Sequence, residues 1–195
     1  MRPVVAALLA GVALAGCGSG DGAPARDRGD LDRRLVEAAF DNDVEAARRL
    51  IADGADVNAK DSTQQSAYLI ATSEVGDDPR LLDLTLANGA RVDDKDSYDG
   101  TGLIRAAERG YLRVVRRLLE AGIDRDHVNR LGWTALHEAI VLGDGGPAHV
   151  ATVRALVRGG VDVTVPDGDG RTALEHAQER GFARIARLLR SAPGA

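Results

Sequence analysis

At 195 residues with a formal charge of −5, the chain has room for one domain or one repeat array, and its acidic balance excludes a nucleic-acid partner gripped mainly through phosphate contacts. Aromatic residues make up only 3%, so closely packed Ala/Leu helices are expected rather than one thick core. The single cysteine, Cys17, excludes an internal disulfide.

The chain opens with one Arg, an apolar run over Val4–Ala15 broken only by Gly11, and small residues up to Cys17. That run is too short to cross a hydrocarbon layer of ~30 Å as a helix. A charged start, a short apolar stretch and small residues at its end fit a secretory signal. Leu14-Ala15-Gly16-Cys17 resembles the bacterial lipobox. The resemblance implies a lipoprotein signal peptide over 1–16, cleavage before Cys17, and lipid on Cys17. The diacylglyceryl group so implied meets the need for two chains in stable anchoring. Residues 17–29, rich in Gly, Pro, Ala and charge, read as a flexible linker. A coil of about 12 residues spans roughly 20 Å. The folded part is therefore expected in the cell envelope, on the extracytoplasmic side.

From Asp30 onward the sequence repeats itself. Repeat one, 30–61, places Leu35, Ala38 and Ala39 on an inner helix and Ala46, Ala47, Leu50 and Ile51 on a second, with Asn42 at the break. Asn is the next-best residue to Gly for a left-handed turn. Repeat two, 62–96, carries SAYLIA at Ser66–Ala71 and a longer inter-helix turn in SEVGDDPR, with Pro79 near the start of its second helix. Repeat three, 97–128, is the regular one: Leu103, Ala106 and Ala107, a break at Gly110, then Val114, Val115, Leu118 and Leu119 on one stripe, stopped at Gly122. Repeat four, 129–167, has TALHEA at Thr134–Ala139 and a Gly-rich insert, LGDGGPAH, read as a loop between helices. Repeat five, 168–195, has TALEHA at Thr172–Ala177 and an outer stripe alternating with Arg184, Arg187 and Arg190, read as the solvated face of a terminal cap.

Three markers recur in one phase. Ser66, Thr101, Thr134 and Thr172 are separated by 35, 33 and 38 residues; Gly54, Gly89, Gly122 and Gly160 follow the second helices; Asp61, Asp96, Asn129 and Asp167 each stand five positions before the Ser/Thr. A period near 33 built on T-[AP]-L-H-x-A resembles the ankyrin repeat. That resemblance implies an all-α fold, an α-solenoid of about five helix-turn-helix repeats joined by short β-turn or hairpin connections.

Catalytic and metal chemistry find no pattern. His137 sits in TALH, where the family uses His structurally, between adjacent repeats. His127, His149 and His176 lie in different repeats without ligand spacing, so no metal site is expected. A calcium loop starting at Asp167 fails at Arg171 and Gln178. GDGGP at Gly143–Pro147 lacks the Gly-Lys-Ser/Thr of a phosphate loop, and no nucleophile–base constellation appears. No enzyme and no cofactor are expected.

A recognition surface remains. In partner-binding ankyrin arrays the turn tips and concave inner-helix face make the contacts. Transferred to this chain, those places hold Tyr98, Arg105, Glu108, Arg109, Arg130, Leu131, Trp133, Glu138, Val141 and Leu142. Tyr98, Leu131, Trp133, Val141 and Leu142 are residue types that a merely solvated surface does not favour. The alternative is that Trp133 packs across neighbouring inner helices and that Val141 and Leu142 pack under the repeat-four insert. The expected activity is non-enzymatic binding of a protein partner by a membrane-anchored monomer. Two narrower readings are an immunity protein neutralising an envelope toxin and an accessory protein in oxidative-stress protection.

Overall fold

The computed structural model describes residues 28–195; the signal peptide, the lipobox with Cys17 and nearly all of the linker lie outside the described residues. Each repeat folds as two antiparallel helices because a left-handed residue interrupts an otherwise continuous apolar period. Asn42 (φ 52°) separates α1 (Arg28–Phe40) from α2 (Val44–Ala52), and Gly110 (φ 70°) separates α5 (Gly102–Glu108) from α6 (Leu112–Glu120). The other pairs are α3 (Ala67–Ser73) with α4 (Arg80–Ala87), α7 (Ala135–Val141) with α8 (Pro147–Arg158), and α9 (Ala173–Glu179) with α10 (Ala183–Arg190).

The odd-numbered helices stack in an inner layer, each on the next, and the even-numbered helices form an outer layer. Small residues let the inner layer close up: Ala39, Ala71, Ala106, Ala107, Ala139 and Ala177 are fully buried. Leu81, Val114, Leu118, Val153, Leu156 and Ile185 bring the outer layer onto them. The core runs without a break from Leu31 to Ala192, so residues 28–195 carry a continuous core of their own. Between α4 and α6 the outer layer is joined by polar groups instead. Asp77 accepts the backbone N–H groups of Arg113 (2.7 Å) and Val114 (3.0 Å), and Asp83 pairs with Arg117 at 2.5 Å.

The repeats are linked by projecting turns, called fingers below. Each begins at the Asx marker, whose backbone N–H donates to the carbonyl four residues on: Gln65, Gly100, Trp133 and Arg171, at 2.8 to 3.0 Å. Antiparallel bridges Lys95–Thr101 and Pro166–Thr172 close two of them. The insert of repeat four is not wholly a loop. Pro147 occupies the first turn of α8, where its missing N–H costs nothing, so Pro147, Ala148 and His149 lengthen that helix to 12 residues.

Two departures from the repeat pattern have one steric cause. Tyr68 takes the position that Leu103 and Leu136 hold in later repeats; its ring is fully buried and its hydroxyl donates to the Val92 carbonyl at 2.5 Å. The next repeat makes room with Gly102, where Ala67, Ala135 and Ala173 stand elsewhere. A Cβ on Gly102 would lie 2.9 Å from the Tyr68 hydroxyl and 2.8 Å from the Thr72 methyl. Repeat three also has the weaker cap: Thr101 Oγ1 is buried without a partner, because Ile104 stands where His137 and Glu175 complete capping boxes. Alanine at position 102 restores the repeat pattern, yet this packing makes Gly102→Ala destabilising by about 1–3 kcal/mol. The loss, read from urea unfolding, is expected to shrink in the Tyr68→Leu/Gly102→Ala double variant.

Candidate functional site

The polar residues of the inner face are organised by the Asx markers. One side-chain oxygen of each marker accepts two finger N–H groups: Thr63 and Gln65 on Asp61, Tyr98 and Gly100 on Asp96, Leu131 and Trp133 on Asn129, Asp169 and Arg171 on Asp167, all between 2.8 and 3.0 Å. At Asp96, Asn129 and Asp167 the remaining atom binds the side chain nine residues on, one turn into the inner helix that follows. Asp96 accepts from Arg105 at 2.9 Å, Asn129 donates to Glu138 at 2.8 Å, and Asp167 meets His176 at 2.6 Å. Each partner is complementary to its marker, so the pair closes whatever its charge.

This removes two residues from the expected recognition surface. Arg105 is only 9% exposed, and its guanidinium also donates to Ser73, Gln65 and Glu74 of the preceding repeat. Glu138 is 5% exposed. Both turn inward because the marker at the base of the finger offers a partner that water would otherwise have to supply. The sequence signal was present, as a polar residue nine positions after Asp96, Asn129 and Asp167 (Ile70 follows Asp61), but helical periodicity alone assigns such residues to the exposed stripe.

Burial sets the chemistry of this row. The Glu138 carboxyl is pushed up to about 7, first by desolvation and then by the charges of Glu108 and Asp96, against the opposing bond from Asn129. Asp167 is held down to about 2, chiefly by the Arg171 N–H and by His176. Burial lowers His137 below its ordinary value. His137 works as a stacking residue: Nδ1 receives the Thr134 N–H at 3.2 Å, and Nε2 meets the Arg171 carbonyl of the next repeat at 3.2 Å. His149 likewise ties the repeat-four insert to the Glu108 carbonyl at 2.9 Å.

The fold brings together three potential metal ligands that lie far apart in sequence. His137, Asp167 and His176 place their ligand atoms within 4.8 Å of one another. The donor set suits zinc, but His137 Nε2 is engaged by the Arg171 carbonyl and His176 Nε2 by Asp167. As arranged, the trio serves the stacking of repeats four and five.

The exposed part of the expected surface is concentrated on two adjacent fingers. Tyr98 (64% exposed) and Leu131 (54%) stand at the tips, and Leu142 (53%) lies beyond α7 at the far end of the same inner face. The tips are stitched together: Arg130 donates its N–H to the Tyr98 carbonyl at 3.1 Å and its guanidinium to the Ser97 carbonyl at 2.9 Å. His127 Nε2 meets the Asp99 carbonyl at 2.7 Å. On the other side Gly132 (φ 79°) abuts the backbone of Gly168, where a Cβ would come within 2.6 Å. Trp133, Val141 and Glu108 are half-buried, and Arg109 is exposed. Arg180 reaches back to the Val141 and Gly143 carbonyls at 2.8 and 3.0 Å, so the last repeat braces this end.

The raised Glu138 carboxyl fixes a pH dependence. A carboxyl whose folded pKa exceeds its unfolded value of 4.5 contributes stability that is complete below 4.5 and is lost as pH rises through about 7. Glu138→Gln, which keeps an acceptor for Asn129, is therefore expected to match the parent melting temperature near the low end of that window. It should exceed it above the window by a few degrees, on a scale of about 2–4 °C per kcal/mol. Parallel melting curves for both proteins across the window would contradict the assignment.

Comparison with known proteins agrees with this architecture. The family model for three copies of ankyrin repeats matches residues 68–167, and the single ankyrin repeat model matches residues 35–62. The ankyrin repeat protein YahD of Escherichia coli K12 is 40% identical over 141 residues, covering 72% of this chain and 69% of YahD. The crystal structure of an ankyrin repeat domain from Acinetobacter baumannii AYE superposes with a TM-score of 0.75 at 44% identity, covering 80% of this chain and 78% of that one. A second ankyrin repeat protein of known crystal structure gives 0.75 at 35% identity, covering 81% and 79%. With paired helices, Asx-based fingers and these matches in agreement, the chain belongs to the ankyrin repeat family.

Proposed function

We propose that this is a lipid-anchored, extracytoplasmic ankyrin-repeat protein that binds a protein partner through the fingers of repeats three and four and the adjoining inner-face residues. The observation that carries the reading is the pair of exposed apolar tips, Tyr98 and Leu131, held on fingers braced to each other by Arg130. Apolar and aromatic side chains on a prefixed backbone lose little conformational entropy on docking, which is what an interface anchor requires. Arg130 and Trp133 flank them on the fingers, and Glu108, Arg109, Val141 and Leu142 continue the surface along the inner face to its far end. Membrane anchoring rests on the Leu14-Ala15-Gly16-Cys17 sequence.

Two measurements test the two halves separately. Tyr98→Ala/Leu131→Ala is expected to lose at least about tenfold in retention of a partner from solubilised envelope, since paired hot spots each contribute about 2 kcal/mol. The helical circular dichroism should stay unchanged. Retention equal to the parent would remove these tips as the site. For the anchor, metabolic labelling with a radioactive fatty acid should mark the parent in a bacterial host and fail to mark Cys17→Ser. Label persisting in that variant would overturn the lipid assignment.

A further inference from the structure

The outer helices of the last two repeats differ in charge from the rest of the molecule. Helix α8 carries Arg154 and Arg158, helix α10 carries Arg184, Arg187 and Arg190, and neither contains an Asp or Glu. All five are exposed, and among the described residues none of their side chains makes an ion pair or hydrogen bond. Arg116 of α6, adjoining α8, is in the same condition. Elsewhere many arginines are matched, such as Arg33 with Asp30 and Glu37, Arg80 with Asp78, Arg117 with Asp83 and Arg171 with Glu179, and unmatched Arg49 and Arg91 stand singly, each on an element or turn that also carries Asp or Glu. A chain holding 30 acidic against 25 basic residues did not lack carboxylates to place here.

The arginines also line concavities. A shallow groove of about 340 Å³ between α8 and α10 is bordered by Arg154, Arg184, Arg187 and Ser191, with no carboxylate on its wall. A second, of about 310 Å³ between α6 and α8, is bordered by Arg116, Arg154 and Arg158, with Glu120 the one acid. Guanidinium groups set around a shallow groove match phosphate oxygens through paired N–H donors, and an anion between them relieves their mutual repulsion.

We propose that this outer face of repeats four and five docks on the anionic phospholipid headgroups of a membrane. A bilayer meets one face of the solenoid, so the excess negative charge elsewhere can point away. Segregated charge of this kind orients a protein on a surface of opposite sign. Helices α6, α8 and α10 carry no Phe, Tyr or Trp on which nucleic-acid bases could stack. The preference for lipid over other polyanions rests on the anchor proposed at Cys17, which would hold the domain within reach of the bilayer.

The test uses residues 28–195, which carry the continuous core described above but not Cys17, so failure of lipid labelling and failure of this proposal remain distinguishable. In co-flotation, the fragment is expected to partition onto phosphatidylglycerol/phosphatidylcholine vesicles and not onto phosphatidylcholine alone. Binding should be abolished at roughly 1 M salt, where the Debye length shrinks to about 3 Å. Arg154→Glu/Arg184→Glu/Arg187→Glu should lower partitioning by more than about a hundredfold, the loss expected from removing three basic residues at the usual contribution each near an anionic surface, since reversal adds repulsion to that loss. The matching triple Lys variant should retain most of it, and reversal of the paired Arg33 and Arg80 should change little. Unaltered melting of each variant excludes unfolding as the cause. Equal flotation with neutral vesicles, or no response to the triple reversal, would overturn the proposal. So would tighter binding to single-stranded oligonucleotide or polyglutamate than to the anionic vesicles, which would assign the face to another polyanion.

Discussion

The structure depends on a single bonding device, the Asx side chain at the base of each finger. One oxygen gathers two backbone N–H groups and so closes the finger, and in three repeats the other atom grips the following inner helix. Fingers are the segments least protected by apolar burial, and an irregular backbone leaves polar groups that must be satisfied somewhere. Asp61, Asp96, Asn129 and Asp167 answer that requirement at the point where one repeat passes into the next. The helices can then stack in a fixed orientation, and the tips project from a backbone already fixed.

Two faces of different character follow from this arrangement. On the finger side, apolar tips are carried on braced turns, a combination suited to a protein surface. In the outer helices of the last two repeats the residues of fixed charge are all arginine, which leaves packing undisturbed and gives those two helices a single sign. Because the inner and outer layers are separate helices, either face can change without altering the other. In this reading the solenoid is a spacer whose opposite sides meet different chemistries.

Much of the fold was legible in the sequence because its determinants are local. Asn42, Gly110 and Gly122 occupy left-handed backbone as their residue types imply, and of the apolar stripes of α2 and α6, Ala47, Leu50, Val114, Val115 and Leu118 are buried while Ala46, Ile51 and Leu119 are half-buried at the edge of the core. The site was less legible. Arg105 and Glu138 have the polarity of surface residues, and what buries them is a partner nine positions earlier, beyond the reach of a helical period. Pro147 reads equally as a loop residue or as a helix opener, and packing of α8 on α6 and α10 decides for the helix. His137, Asp167 and His176 converge only once repeats four and five are stacked.

The fit of Tyr68 against Gly102 bears on how such an array can evolve. Repeats that arise by duplication begin as interchangeable copies, and recombination can then delete, reorder or multiply them. Once one copy has enlarged a side chain and its neighbour has given up a methyl to receive it, the two are no longer exchangeable. Any rearrangement that parts them leaves an overfilled junction on one side and an underfilled one on the other. Repeats two and three are therefore expected to travel as a unit.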